Sequence, residues 1–223
     1  MKPLPPDTPL HAERELPEHL AFSAWACVWA ALGVQCPPRD THQALIEHYG
    51  EPHRAYHTDQ HLEECLRIRR STDAPCQSAA EIDLALWFHD AIYAPRRHDN
   101  ELRSAQWLDA VARESGLDDA TRRRLHDLVM VTRHDGAPAT VDEAVLVDTD
   151  LAILGASPER FEEYDQQVRR EYRHVPWFLY RRKRRQILEG FLARERLYAT
   201  AAYFDAFEQQ ARTNLARAIG CLG

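Results

Sequence analysis

Ala85-Leu86-Trp87-Phe88-His89-Asp90-Ala91-Ile92-Tyr93 is apolar at almost every position, yet it carries a histidine and an aspartate side by side. A helix that is apolar all round belongs inside a core. A charge buried there is costly unless it is paired or bound to a metal. The doublet therefore needs partners, and two other stretches offer them: Tyr56-His57-Thr58-Asp59-Gln60-His61 and Val147-Asp148-Thr149-Asp150-Leu151. A histidine, a His-Asp doublet and a later aspartate, each on its own helix, can close around one divalent cation.

Asp148 and Asp150 are two residues apart, so on a helix they point to nearly opposite sides. On a wheel of residues 144–154, the apolar side chains Val145, Leu146, Val147, Leu151, Ile153 and Leu154 sum to a direction almost through Asp150. Asp150 is thus the expected inward carboxylate, either a metal ligand or a cap on another helix. Asp148 faces away and reads as a solvent-side residue or one supporting the site from behind. His89 and Asp90 diverge by about 100° on a helix, so one ion would sit in the angle between them.

His57 and His61 are one turn apart. No glutamate follows the first of them, so the His-Glu-x-x-His arrangement of zinc proteases is excluded. His61 lies deeper, at helical spacing from Cys65 and Ile68, and suits a ligand. His57 lies at the mouth and suits a proton donor. Imidazoles and carboxylates together accept a range of first-row ions and leave positions open for water. Such an ion activates water and polarises a phosphoryl oxygen. The expected chemistry is hydrolysis of a phosphate ester or anhydride, with loop arginines Arg54, Arg96 and Arg97 available to hold phosphate.

The rest of the chain reads as helix. Pro17 opens an apolar helix to about Leu32, and a short one capped by Asp40 or Thr41 ends at Gly50. Thr58 to Arg70 follows. Ser78-Ala79-Ala80-Glu81 is a capping box that starts the central helix, which is expected to run through His89-Asp90 and stop before Pro95. Later helices are expected over 99–115 and 118–134, capped by Asp99 and Asp118, and over 142–155, beginning at Asp142. Ser157-Pro158 starts another, and the last two run from Pro176 to Leu192 and from Ala199 to Ile219. No alternating strand pattern appears. The expectation is an all-α single domain over 17–223, with a C-terminal helical extension and a loose lead-in over 1–16.

Composition sets bounds. A net charge of −7 gives no global field for nucleic acid or an anionic membrane. The run Arg181-Arg182-Lys183-Arg184-Arg185 reads as the solvated face of a helix rather than a phosphate patch. The cysteines are odd in number, scattered and without Cys-x-x-Cys, which argues against a disulfide framework and a zinc-thiolate site. The uncharged, largely apolar stretch Leu20 to Val34 is short for a bilayer. A cytoplasmic protein is expected, with no membrane partner and nucleic acid disfavoured.

At these residues the chain resembles the HD-domain superfamily of metal-dependent phosphohydrolases. The resemblance implies an HD-like helical bundle in which His61, His89, Asp90 and Asp150 hold a divalent ion (Mn, Mg, Co, Ni, Fe or Zn). Tyr56-His57-x-x-x-His61 is also similar to the opening of cyclic-nucleotide phosphodiesterases, where the first histidine protonates the leaving group. More closely, the chain resembles a bacterial subfamily of predicted HD phosphohydrolases. The matching pieces are 56–61, 87–93, Asp99-Asn100-Glu101 with Ser104-Ala105, 148–155, Arg169-Arg170-Glu171-Tyr172 and Ala211-Arg212-Thr213-Asn214-Leu215. Thr58 stands where asparagine is usual. Tyr93 replaces the glutamate of HD-type nucleotidases, so their water-activation scheme does not carry over.

The expected roles are then His57 and Asp90 in catalysis, Asp90 also bridging toward a weaker second ion. Arg54, Asn100, Glu101 and His134 would contact substrate, His134 alternatively serving the second ion. The substrate would be a small phosphate compound such as a nucleotide. Two other readings stay open: a di-iron oxygenase, and a regulatory or binding module that keeps its metal for stability.

Overall fold

The computed structural model describes residues 16–222. Most of the expected lead-in, residues 1–15, lies outside them, while Leu16 already packs on the core. The described chain is all-helical and has no strand: α1 (Phe22–Ala31), α2 (Arg39–Tyr49), α3 (Asp59–Ser71), α4 (Ala79–Phe88), α5 (Asn100–Glu114), α6 (Asp119–Met130), α7 (Val141–Asp150), α8 (Pro158–Glu171), α9 (Trp177–Leu192) and α10 (Ala201–Cys221). Short 3₁₀ turns cover Glu18–Leu20, Val131–Arg133 and Leu151–Gly155. None of these helices is long and apolar enough to cross a membrane.

α4 is the axis of the fold, with α1, α3, α5, α6 and α7 packed around it. Every residue from Glu81 to Phe88 is buried. Its two acids obey the rule for buried charge: Glu81 takes a two-pronged pair from Arg124 (2.7 and 2.9 Å), and Asp83 pairs with Arg69. Only half of the expected capping box forms. Ser78 Oγ accepts from Glu81 N, but the Ser78 amide donates to Asp142 instead of to Glu81. α7 starts at Val141, one residue before the expected Asp142, with Thr140 as its cap. Asp99 likewise gives α5 no side-chain cap, because both its oxygens bind Arg97.

Two differences from the sequence expectation shape the site. First, α4 ends at Phe88, before His89 and Asp90. The physical reason lies in Arg54, whose buried guanidinium donates to the carbonyls of Asp90 (2.7 Å) and Ala91 (2.9 Å). Those carbonyls find their partner outside a helix, and the chain turns through Ala91 N to Phe88 O. Second, α7 is buried on both sides. Asp148 is 1% exposed, which overturns the solvent-side reading. Its carboxylate accepts from the amides of Ala199 and Thr200 (2.8 Å each) and from Thr200 Oγ1 (2.7 Å). It therefore ties α7 to the segment that leads into α10. Gly155 allows this junction to close, since a Cβ there would lie 2.6 Å from Phe207 Cβ.

Candidate metal centre

α3, the end of α4 and the end of α7 bring four expected ligands to one point. His61 Nε2 lies 3.1 Å from His89 Nε2, 3.2 Å from Asp150 Oδ1 and 3.6 Å from Asp90 Oδ2. His89 Nε2 lies 3.1 Å from Asp90 Oδ2 and 3.7 Å from Asp150 Oδ1. His89 and Asp90 converge on the cluster from the turn that follows α4, their Nε2 and Oδ2 atoms 3.1 Å apart. Atoms bound to one ion at about 2.1 Å are roughly 3.0–3.4 Å apart in octahedral or tetrahedral geometry. The observed separations fall near that range, so the residues present fit a metal ion.

The chemistry of the donors agrees. His89 Nδ1 is 2.7 Å from the Leu86 carbonyl, which can only accept, so Nδ1 carries the proton. Nε2 is then left for the cluster, the arrangement that orients a metal-binding histidine. Burial opposes charge on His89, but Asp90 and Asp150 outweigh it and lift the imidazole to about 9. Both carboxylates are held well below the carboxylate range against the same burial, Asp90 chiefly by His89 and Asp150 by His134 and His61. The cluster thus demands positive charge, from a proton or from an ion. Cys65, one turn after His61, adds a sulfur the sequence reading had not counted. His61, Cys65, His89 and Asp150 present donor atoms all within 4.8 Å of one another and could hold a metal ion.

Beside the cluster, a cavity of about 610 Å³ is lined on the cluster side by His57, Asp90, Tyr93, His134 and Asp150. His57 is held on its other side by Glu171, which sequence reasoning quoted within a motif but gave no role. Glu171 accepts five hydrogen bonds: the amides of Ala55, Tyr56 and His57 reach Oε1, and His57 Nδ1 (2.7 Å) and Tyr93 Oη (2.8 Å) reach Oε2. Tyr93 also stacks on the His57 ring at 4.1 Å. Burial works against both charges of the pair, yet Asp90 and Glu171 raise His57 above its ordinary value. Glu171 itself is pulled down to about 2 by His57 and by the Ala55 and Tyr56 amides. With Nδ1 committed to Glu171, Nε2 is the ring nitrogen left to act.

The four residues expected at the substrate divide. Arg54 is buried and does not line the cavity; besides the two carbonyls of the turn it donates to Glu51 and to His57 O. It positions the loops carrying His57 and Asp90, and its expected role as a phosphate contact is corrected. Asn100 lines the cavity with both amide atoms tied to the Ala94 backbone. Glu101 lines it too. His134, in a left-handed conformation at φ 56°, sets Nε2 3.0 Å from Asp150 Oδ2. It stands against the cluster from the cavity side. No protein-family model, curated protein or solved structure matches the chain.

Proposed function

We propose that this chain is a metal-dependent phosphohydrolase acting on a small phosphate ester or anhydride. The observation that carries the reading is that His57, backed by Glu171, faces the same cavity as the carboxylates Asp90 and Asp150 of the metal cluster. His61, His89, Asp90 and Asp150 would hold a divalent ion, with His134 within reach of Asp150. When bound, that ion supplies Lewis-acid polarisation of a phosphoryl oxygen and lowers the pKa of water. His57 Nε2 donates a proton to the leaving oxygen. Glu171 fixes the ring and stabilises its charged form, and Arg54 fixes the carbonyls on both flanking loops.

Activity of the metal-reconstituted chain on a panel of phosphomonoesters, cyclic phosphates and nucleotides tests this directly; no metal-dependent release of product from any of them would refute it. His57→Ala is expected to keep the metal and to lose roughly 10²–10⁴-fold in rate on poor leaving groups. Aryl phosphates, whose leaving groups need little protonation, should suffer much less. Equal losses on both would move His57 from proton donor to positioning residue. A second reading, a metal kept for stability alone, draws on Cys65, since thiolate ligands are common in structural sites. Metal retention without turnover on the whole panel would favour it.

A further inference from the structure

The cavity has a second polar pole, on α9, for which hydrolysis at the metal gives no task. The basic run read from sequence as a solvated face is divided by the fold. Arg184 is buried, while Lys183 stays exposed and has no hydrogen bond or ion pair among the described residues. Tyr180, Lys183 and Arg184, spaced to share one side of a helix, all line the cavity.

The buried members of this pole are incompletely paired. Arg184 Nε donates to Asp165 (3.0 Å) and Nη1 to Tyr164 Oη (3.2 Å). Nη2 lies 2.9 Å from the same Asp165 oxygen but makes no hydrogen bond. The Tyr180 hydroxyl of this pole (7% exposed) is buried without a hydrogen-bond partner, as is that of Tyr56 (5% exposed) on the wall leading to the cluster. Buried polar groups in a folded protein are nearly always satisfied, so unpaired ones lining a cavity point to a ligand. A continuous wall joins the two poles. The Tyr56 ring is 4.6 Å from that of His61 and 4.6 Å from that of Tyr164, and the Arg184 guanidinium lies 5.0 Å over Tyr164. Val168, Val175 and Ile187 add apolar lining.

Resting on the phosphohydrolase reading, we propose that the Tyr180–Lys183–Arg184 pole binds a second anionic group of the substrate. The substrate then has two anionic ends joined by an organic segment, one end at the metal cluster and the other on α9. A lone phosphate at the cluster end would leave the Lys183 ammonium and the Tyr180 hydroxyl without a partner. An anion there accepts from both, and its charge complements Lys183 and Arg184.

The test is calorimetric and needs no turnover. The full chain loaded with Mn2+ is titrated with α,ω-alkanebisphosphonates from butane to octane and with the matching alkylphosphonates, whose C–P bonds do not hydrolyse. At least one bisphosphonate is expected to bind on the order of tenfold more tightly than its monophosphonate. Lys183→Ala and Tyr180→Phe, neither of which removes a hydrogen bond, are expected to bring bisphosphonate affinity down toward the monophosphonate level. Phosphonate binding with no advantage for any bisphosphonate, or an advantage that both variants keep, overturns the second pole and leaves the hydrolase reading standing. No metal-dependent phosphonate binding at all overturns both.

Discussion

Asp148 and Asp150 stand two residues apart on α7 and serve two different junctions of the molecule. At the α7–α10 junction, Asp148 is saturated by two backbone amides and a hydroxyl. At the junction of α7 with α3 and the end of α4, Asp150 meets imidazoles, His61 at 3.2 Å and His134 at 3.0 Å. Glu171 and Asp142 belong with Asp148, each accepting from successive amides of a distant loop. Asp90 belongs with Asp150. The difference separates two uses of a buried carboxylate: one fed by amides ties two segments together, whereas one grouped with imidazoles could share a cation with them.

The largest effect should fall on the saturated side. Asp148→Ala leaves the Ala199 and Thr200 amides without their acceptor at the start of α10, and it should cost about 3 kcal/mol in urea unfolding. Its metal content should not change. A loss within error would mean that the amides find other acceptors and that the junction is not held this way.

Next comes removal of the ion. Chelation from the loaded chain should lower the melting temperature by the equivalent of about 2.7 kcal/mol where free ion stood at a hundredfold excess over its Kd. An unchanged melting temperature would mean that proton-charged imidazoles balance Asp90 and Asp150 unaided.

A smaller effect is set by pH. The Glu171 carboxyl lies at about 2 in the folded chain against an ordinary 4.5. Its contribution is therefore present above 4.5 and lost as pH falls toward 2, on the order of 2 kcal/mol. His57 has the opposite sign. Raised above 6.5, it stabilises fully below that value and loses its contribution as pH rises through its folded pKa. Acid titration of stability in Glu171→Gln should show a flatter acid limb than in the parent chain. Identical limbs would mean that the Glu171 network gives no net stabilisation.

Much of this was legible in the sequence, and the gaps have common causes. The wheel placed Asp150 inward because α7 is apolar on that side. It misjudges Asp148 because a wheel sees only its own helix, and the Ala199–Thr200 segment that covers Asp148 comes from some fifty residues downstream. The end of α4 at Phe88 has no glycine or proline to announce it, since Arg54 brings it about through carbonyls 36 and 37 residues away. Nothing local distinguishes such an arginine from a phosphate-binding one. Glu171 was hidden in the same way, joined to His57 across 114 residues. The doublet itself was plain, because charge beside an apolar, buried helix demands a partner wherever that partner lies.

The most direct test of the central claim is elemental analysis of purified Asp150→Asn beside Asp148→Asn, each dialysed against the same Mn2+ solution. Asp148→Asn is expected to retain the metal content of the parent chain and Asp150→Asn to lose it. Retention by Asp150→Asn together with loss by Asp148→Asn would contradict the assignment of the two junctions, and with it the metal centre.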